Sequence, residues 1–92
     1  MASKISKYVF ADGSVGTHEE IEDRQIWRNA AGRLHSDADC PAMVSSNARF
    51  WFRDGEFHRD GNRPAIILST GQCFYYVNGE YIGEGFIPGR QG

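Results

Sequence analysis

His35 and His58 are the residues best placed to do chemistry, because each is followed two positions later by an aspartate, Asp37 and Asp60. Two residues along a strand return to the same face, so each carboxylate is spaced to orient its imidazole as a general base or a metal ligand. The pair is written twice, in GRLHSDADCPA (32–42) and again in GEFHRDGNRPA (55–65), 23 positions further on. That recurrence changes the reading. A single active site is not duplicated at a fixed spacing, whereas a scaffold joint is. His35, His58, Asp37, Asp60, Pro41 and Pro64 therefore read as structural repeat joints, with each imidazole bonding the backbone of the next loop.

Other chemistries find little to stand on. His58-Arg59-Asp60 imitates a fragment of a kinase catalytic loop, but 92 residues cannot hold two kinase lobes. There is no Gly-x-Ser-x-Gly, no phosphate-binding glycine loop and no paired metal-ligand spacing. His18-Glu19 is followed by Glu20-Ile21-Glu22, so the metalloprotease helix fails at its second histidine. The expectation is a non-enzymatic protein with no catalytic residue, no cofactor and no metal. Cys40 and Cys73 stand 33 apart outside any CxxC pair, which suggests two reduced thiols in a cytoplasmic protein. MASKISKYVFADG contains no apolar run of the length a signal peptide or membrane span needs. A net charge of −2 provides no general field to attract nucleic acid or an anionic membrane.

The elements that position these residues are strands. Eleven glycines, with leucine only at 34 and 68, favour strands and tight turns over helices. The repeat pairs Gly32 with Gly55, His35 with His58, Asp37 with Asp60 and Pro41-Ala42 with Pro64-Ala65. A partial third copy at a shift of 24 pairs Phe50-Trp51-Phe52 with Phe74-Tyr75-Tyr76 and Asp54-Gly55-Glu56 with Asn78-Gly79-Glu80. It then loses the histidine to Ile82 and lacks the Pro-Ala, as a terminal cap would. Asp54-Gly55 and Asn78-Gly79 are strong signals for tight hairpins, with Asp12-Gly13 a third and Thr70-Gly71 a weaker one. Thr17-His18-Glu19-Glu20 has capping-box spacing, so one short helix is expected near residues 18–25, with an acidic linker as the other reading. The fold class is mainly β: a single domain over 1–92, built as an antiparallel β-hairpin meander of about 23-residue repeats. An N-terminal hairpin with a short helix or linker occupies 1–25, β-repeats occupy 26–82, and a tail occupies 83–92.

Trp51, Gly55, His58, Arg59, Asp60, Pro64 and Ala65 resemble the Trp-x-x-x-Gly-x-x-His-Arg-x-Asp-Gly-Pro-Ala type of MORN-like repeat found in phage and large-virus proteins. The first copy keeps Trp27, Gly32, His35, Pro41 and Ala42, but Ser36 replaces the arginine and the loop after it is altered. The resemblance spans residues 26–82. It implies a meandering antiparallel sheet and a viral origin, and it carries no catalytic residue across.

Strand alternation sends Phe50 and Phe52 to one face and Trp51 to the other, and likewise separates Phe74 and Tyr76 from Tyr75. Two arrangements are open: one aromatic face exposed, or a twisted sheet that buries both. The aromatic surplus beside Arg49, Arg53, Arg59 and Arg63 has the composition of interface hot spots. Trp51, Tyr75, Arg53 and Arg59 are the expected partner-binding residues. By analogy with the viral repeats, the expected partner is a host protein or protein complex, which the chain inhibits as an anti-defence protein. The alternatives are a sheet that binds single-stranded nucleic acid or nucleotides, and a structural protein that forms homo-oligomers through its edge strands.

Overall fold

The computed structural model describes residues 3–86. The turns written in the sequence separate ten strands: β1 (Ser3–Val9), β2 (Val15–Ile21), β3 (Arg24–Arg28), β4 (Met43–Val44), β5 (Ala48–Phe50), β6 (Phe52–Arg53), β7 (Glu56–Phe57), β8 (Ile66–Leu68), β9 (Gln72–Val77) and β10 (Glu80–Phe86). Eight of them form one antiparallel sheet in the order β1-β2-β3-β4-β5-β8-β9-β10. β6 and β7 pair separately as a hairpin that leaves this sheet where β5 ends. The fold class expected from the turns is the one observed, a mainly β antiparallel meander.

The helix expected over residues 18–25 does not form, and there is no helix among the described residues. That stretch is the second half of β2, a two-residue turn with Glu22 at φ 56°, and the start of β3. The capping box is a local signal worth little in a segment this short, since isolated short helices are marginal in water. Cross-strand pairs outweigh it. His18 stands opposite Trp27 with the two rings stacked 4.6 Å apart, and its Nε2 lies 3.0 Å from Gln25 Oε1. Arg28 donates to Glu19 at 2.7 Å. Residues 83–86, expected to begin a tail, are instead the end of β10; the segment IPGRQG lies outside the described residues. Asp12-Gly13 closes a wider turn than a two-residue hairpin, with Phe10 N–H donating to the Ser14 carbonyl.

One unbroken row of directly paired residues crosses the whole sheet: Ile5, Glu19, Ile26, Met43, Phe50, Ile66, Phe74 and Glu84. Its members share a face, so β1 and β10 present corresponding faces at opposite ends. On that face Phe57 of the separate hairpin, stacked at 4.4 Å on its own cross-strand partner Phe52, leans on Tyr76 of β9 at 4.9 Å. The opposite face follows a rule of large against small. The backbone amide of Trp27 donates to the Ala42 carbonyl and that of Trp51 to the Ala65 carbonyl, which continues the ladders by one residue; Tyr75 pairs with Gly83, but its ring lies over Gly85. The first two repeats thus each set one tryptophan beside one small residue, and the recurring Pro-Ala supplies that residue. Ala42 and Ala65 are fully buried.

The molecule is 18 Å in its thinnest dimension, the depth of one sheet with its loops, and buried apolar residues are few among the described residues. Phe10, Ile26, Trp51 and Cys73 are the largest of them. In so thin a core, Ala65→Val overpacks the seat of Trp51 and should cost about 1–3 kcal/mol. Gly83→Ala is expected to leave stability unchanged, because a Cβ there meets nothing within 4 Å. Thermal melts of the two variants check the contrast.

Candidate functional site

Type I′ turns force the chain through positive φ at two residues, and here Asp54 (φ 50°) with Gly55 (φ 85°) and Asn78 (φ 52°) with Gly79 (φ 82°) take those positions. Such a turn leaves amides outside the ladder that need acceptors. The preceding repeat provides them. Asp54 N–H donates to His35 Nδ1 at 3.1 Å, and Asn78 N–H donates to His58 Nδ1 at 2.9 Å. Gly55 N–H donates to the Leu34 carbonyl and Gly79 N–H to the Phe57 carbonyl, each at 2.8 Å. A third bond closes each joint, from Ser36 N–H to the Phe52 carbonyl and from Arg59 N–H to the Tyr76 carbonyl. The same three-bond joint is therefore built twice.

The carboxylates divide their work differently in the two copies. Asp60 Oδ1 lies 2.8 Å from His58 Nε2. Because Nδ1 accepts from Asn78, the ring proton belongs on Nε2, which donates to Asp60. Both ring nitrogens of His58 are thus engaged within the protein, and the residue is buried. Asp37 makes no such bond to His35. It accepts instead from the Ala11 and Asp12 amides, at 3.1 and 3.0 Å, and so ties the first repeat loop to the N-terminal hairpin. His35 packs its ring against the edge of Phe10. Pro64 is buried and Pro41 half-buried beside the alanines they precede.

Between the loops 36–40 and 58–63 lies a cavity of about 430 Å³ with Trp51 at its floor. Three of the expected partner-binding residues meet there, and the geometry gives them internal duties. Trp51 is only 6% exposed; its Nε1 donates to the Asp39 carbonyl at 3.1 Å. The Arg59 guanidinium sits 3.9 Å from the centre of the indole ring. Arg59 also forks onto the Asp39 carboxylate, at 2.8 and 3.2 Å, and reaches the Pro64 carbonyl at 3.1 Å. Arg63 donates to the same carboxylate of Asp39. Arg53 pairs with Asp60 at 2.8 Å. Tyr75 is apart from this cluster, half-buried on β9 with its ring over Gly85 and beside Cys73. Trp51 and Arg59 are thus engaged within the protein, the indole covered by a paired guanidinium.

Asp39 is the residue that sequence reading missed. It joins the two repeat loops, receives two arginines through its side chain and holds Trp51 through its backbone. Its counterpart in the next repeat is Asn62, so the repeat alignment carries no signal for it. The backbone, however, is repeated. Ala38 and Asp39 take φ 56° and 61°, as Gly61 and Asn62 take 79° and 58°. Hydrogen bonding from Arg59 holds the Asp39 carboxyl below its usual pKa, and bonds from His58 and then Arg53 do the same for Asp60. Among the described residues, no three His, Cys, Asp or Glu side chains come together to hold a metal ion.

Comparison with known proteins finds no matching family model, no matching curated protein and no matching solved structure.

Two outcomes follow from these bonds. His58→Ala leaves the Asn78 amide without its acceptor and should cost about 1–3 kcal/mol, a fall in melting temperature of upwards of about 4 °C for a domain of this size. His35→Ala should cost less, because His35 lacks the second bond to a carboxylate; an unchanged melt for His58→Ala would remove the joint's claim to importance. The lowered carboxylates make stability a function of acid. Their contribution is complete above the unfolded aspartate pKa of about 3.9 and is lost as the pH falls through the lower folded values. Melting temperature should therefore fall from about pH 4 downward, and Asp39→Asn should flatten that slope.

Proposed function

We propose that this protein is a non-enzymatic protein-binding module that engages its partner through the terminal strands of the sheet. One observation carries the reading. Among the described residues, the exposed large hydrophobic ones are Ile5, Val9, Val15, Val77, Tyr81, Ile82 and Phe86, and all of them lie on β1, β2, β9 and β10. The middle of the sheet, where the repeats are most regular, contributes none. Apolar side chains gathered at strand edges are what strand-addition interfaces use, with main-chain hydrogen bonds for affinity and alternate side chains for specificity. β10 is the more inviting end, with Ile82 and Phe86 at 60% and 64% exposure and no lysine on the strand.

The resemblance of residues 51–65 to MORN-like repeats of phage and viral proteins suggests a host protein complex as the partner class and inhibition as the effect. A nucleic-acid-binding role has less support, because Arg53, Arg59 and Arg63 are spent on Asp39 and Asp60 rather than offered to phosphates.

The test is affinity capture from host-cell lysate with the wild-type chain and with Tyr81→Asp and Phe86→Asp, each on nuclease-treated and untreated halves. A protein retained after nuclease treatment and lost with both variants is the expected result. A partner that binds the β10 variants equally well, or that appears only in the untreated half, overturns the assignment.

A further inference from the structure

β1 and β10 are the two ends of the sheet, and their outward edges have no strand partner among the described residues. Every neighbouring pair in the order is antiparallel, and eight strands is an even number, so β1 and β10 run in opposite directions. A second copy placed in the same orientation would therefore bring its β1 antiparallel to β10 of the first and continue the meander without a change of pattern.

The side chains select one register for that contact. Glu84 and Phe86 share the face defined by the cross-sheet row, as do Ile5 and Lys7 at the other end. Aligning Glu84 with Lys7 sets Phe86 against Ile5, Gly85 against Ser6 and Gly83 against Tyr8. The bulge between Tyr81 and Gly83 then leaves Tyr81 and Ile82 beside Val9. Opposite charges face each other, and the exposed apolar residues of both edges are paired. On the reverse face Tyr8 meets Gly83, where the space above the backbone is empty, which repeats the ring-beside-small rule of Trp27 with Ala42 and Trp51 with Ala65. Sliding by two residues either way puts Glu84 against Ile5 or Val9 and loses these matches. Pairing β10 with β10 or β1 with β1 brings glutamates or lysines together instead, a like-charge arrangement that opposes association.

We propose that this chain associates head to tail with copies of itself, β10 of one pairing antiparallel with β1 of the next in the Glu84–Lys7 register. The inference rests on the terminal strands being an interaction surface and names a second copy as an occupant of that surface. The contact is heterologous, so it propagates into an open string or closes into a ring rather than stopping at a symmetric dimer.

Sedimentation velocity of the purified protein over a wide concentration range tests it. Species larger than a dimer should grow with concentration. Lys7→Glu alone and Glu84→Lys alone should each weaken association by about tenfold or more, because each sets like charges face to face. An equimolar mixture of the two variants should regain it, since every contact in the mixed string then joins opposite charges. The double variant Lys7→Glu with Glu84→Lys should also associate, and it guards against either single change acting through folding, which circular dichroism monitors. A monomer at every concentration, a symmetric dimer, or single variants that associate like the wild type would each overturn the proposal. None of these results bears on capture of a host protein by β10, which the lysate experiment reads separately.

Discussion

The amide of a left-handed turn residue needs an acceptor, and in this protein the previous repeat provides it. His35 and His58 receive the amides of Asp54 and Asn78, and the carbonyls of Leu34 and Phe57 receive those of Gly55 and Gly79. A turn that is held by its neighbour cannot set its position independently, so each hairpin fixes the next. The joints hold the ends of β6 and β9, the strand that follows Trp51 and the strand that carries Tyr75.

Such dependence suits a sheet that has little else to hold it together. An 18 Å thickness leaves no second layer, and most side chains are half-buried at best. The structure compensates with polar links between segments far apart in sequence. Asp37 ties the first repeat loop to the N-terminal hairpin, Asp39 ties it to the second loop, and Asn29 donates to Asp54 between successive turns. Partly exposed ion pairs are individually weak. Around Asp39 they gain from sharing one carboxylate with a guanidinium that also covers an indole. The same economy engages these arginines and the tryptophan within the protein, while the exposed large apolar residues among those described lie on β1, β2, β9 and β10.

Much of the scaffold was legible before any coordinates. Asp54-Gly55 and Asn78-Gly79 announce their turns because few other residue pairs tolerate two positive φ values in succession. The spacing of His35 and His58 announces a repeat, and period-two alternation separates Trp51 from Phe50 and Phe52. The helix expected at 18–25 failed where a local cue competed with contacts from another strand: nothing near Thr17 in sequence says that Trp27 will stack on His18. The recurring Pro-Ala was visible as a motif, yet its use as a seat beside each large ring emerged only from the pairing.

The β class, the turns at Asp54-Gly55 and Asn78-Gly79 and the period of the repeat are written in the residues, because they follow from side-chain alternation and from backbone angles that few residues adopt. Which of the conspicuous residues were already occupied depended on contacts between distant loops. Trp51 and Arg59 look like a binding pair in one dimension and prove to be a covered floor, because Asp39, unmatched in the repeat, folds over them from another loop. The edges were settled in the same way. Tyr81, Ile82 and Phe86 are unremarkable as letters, and they stand out because the chain has no further described strand to lay beside β10.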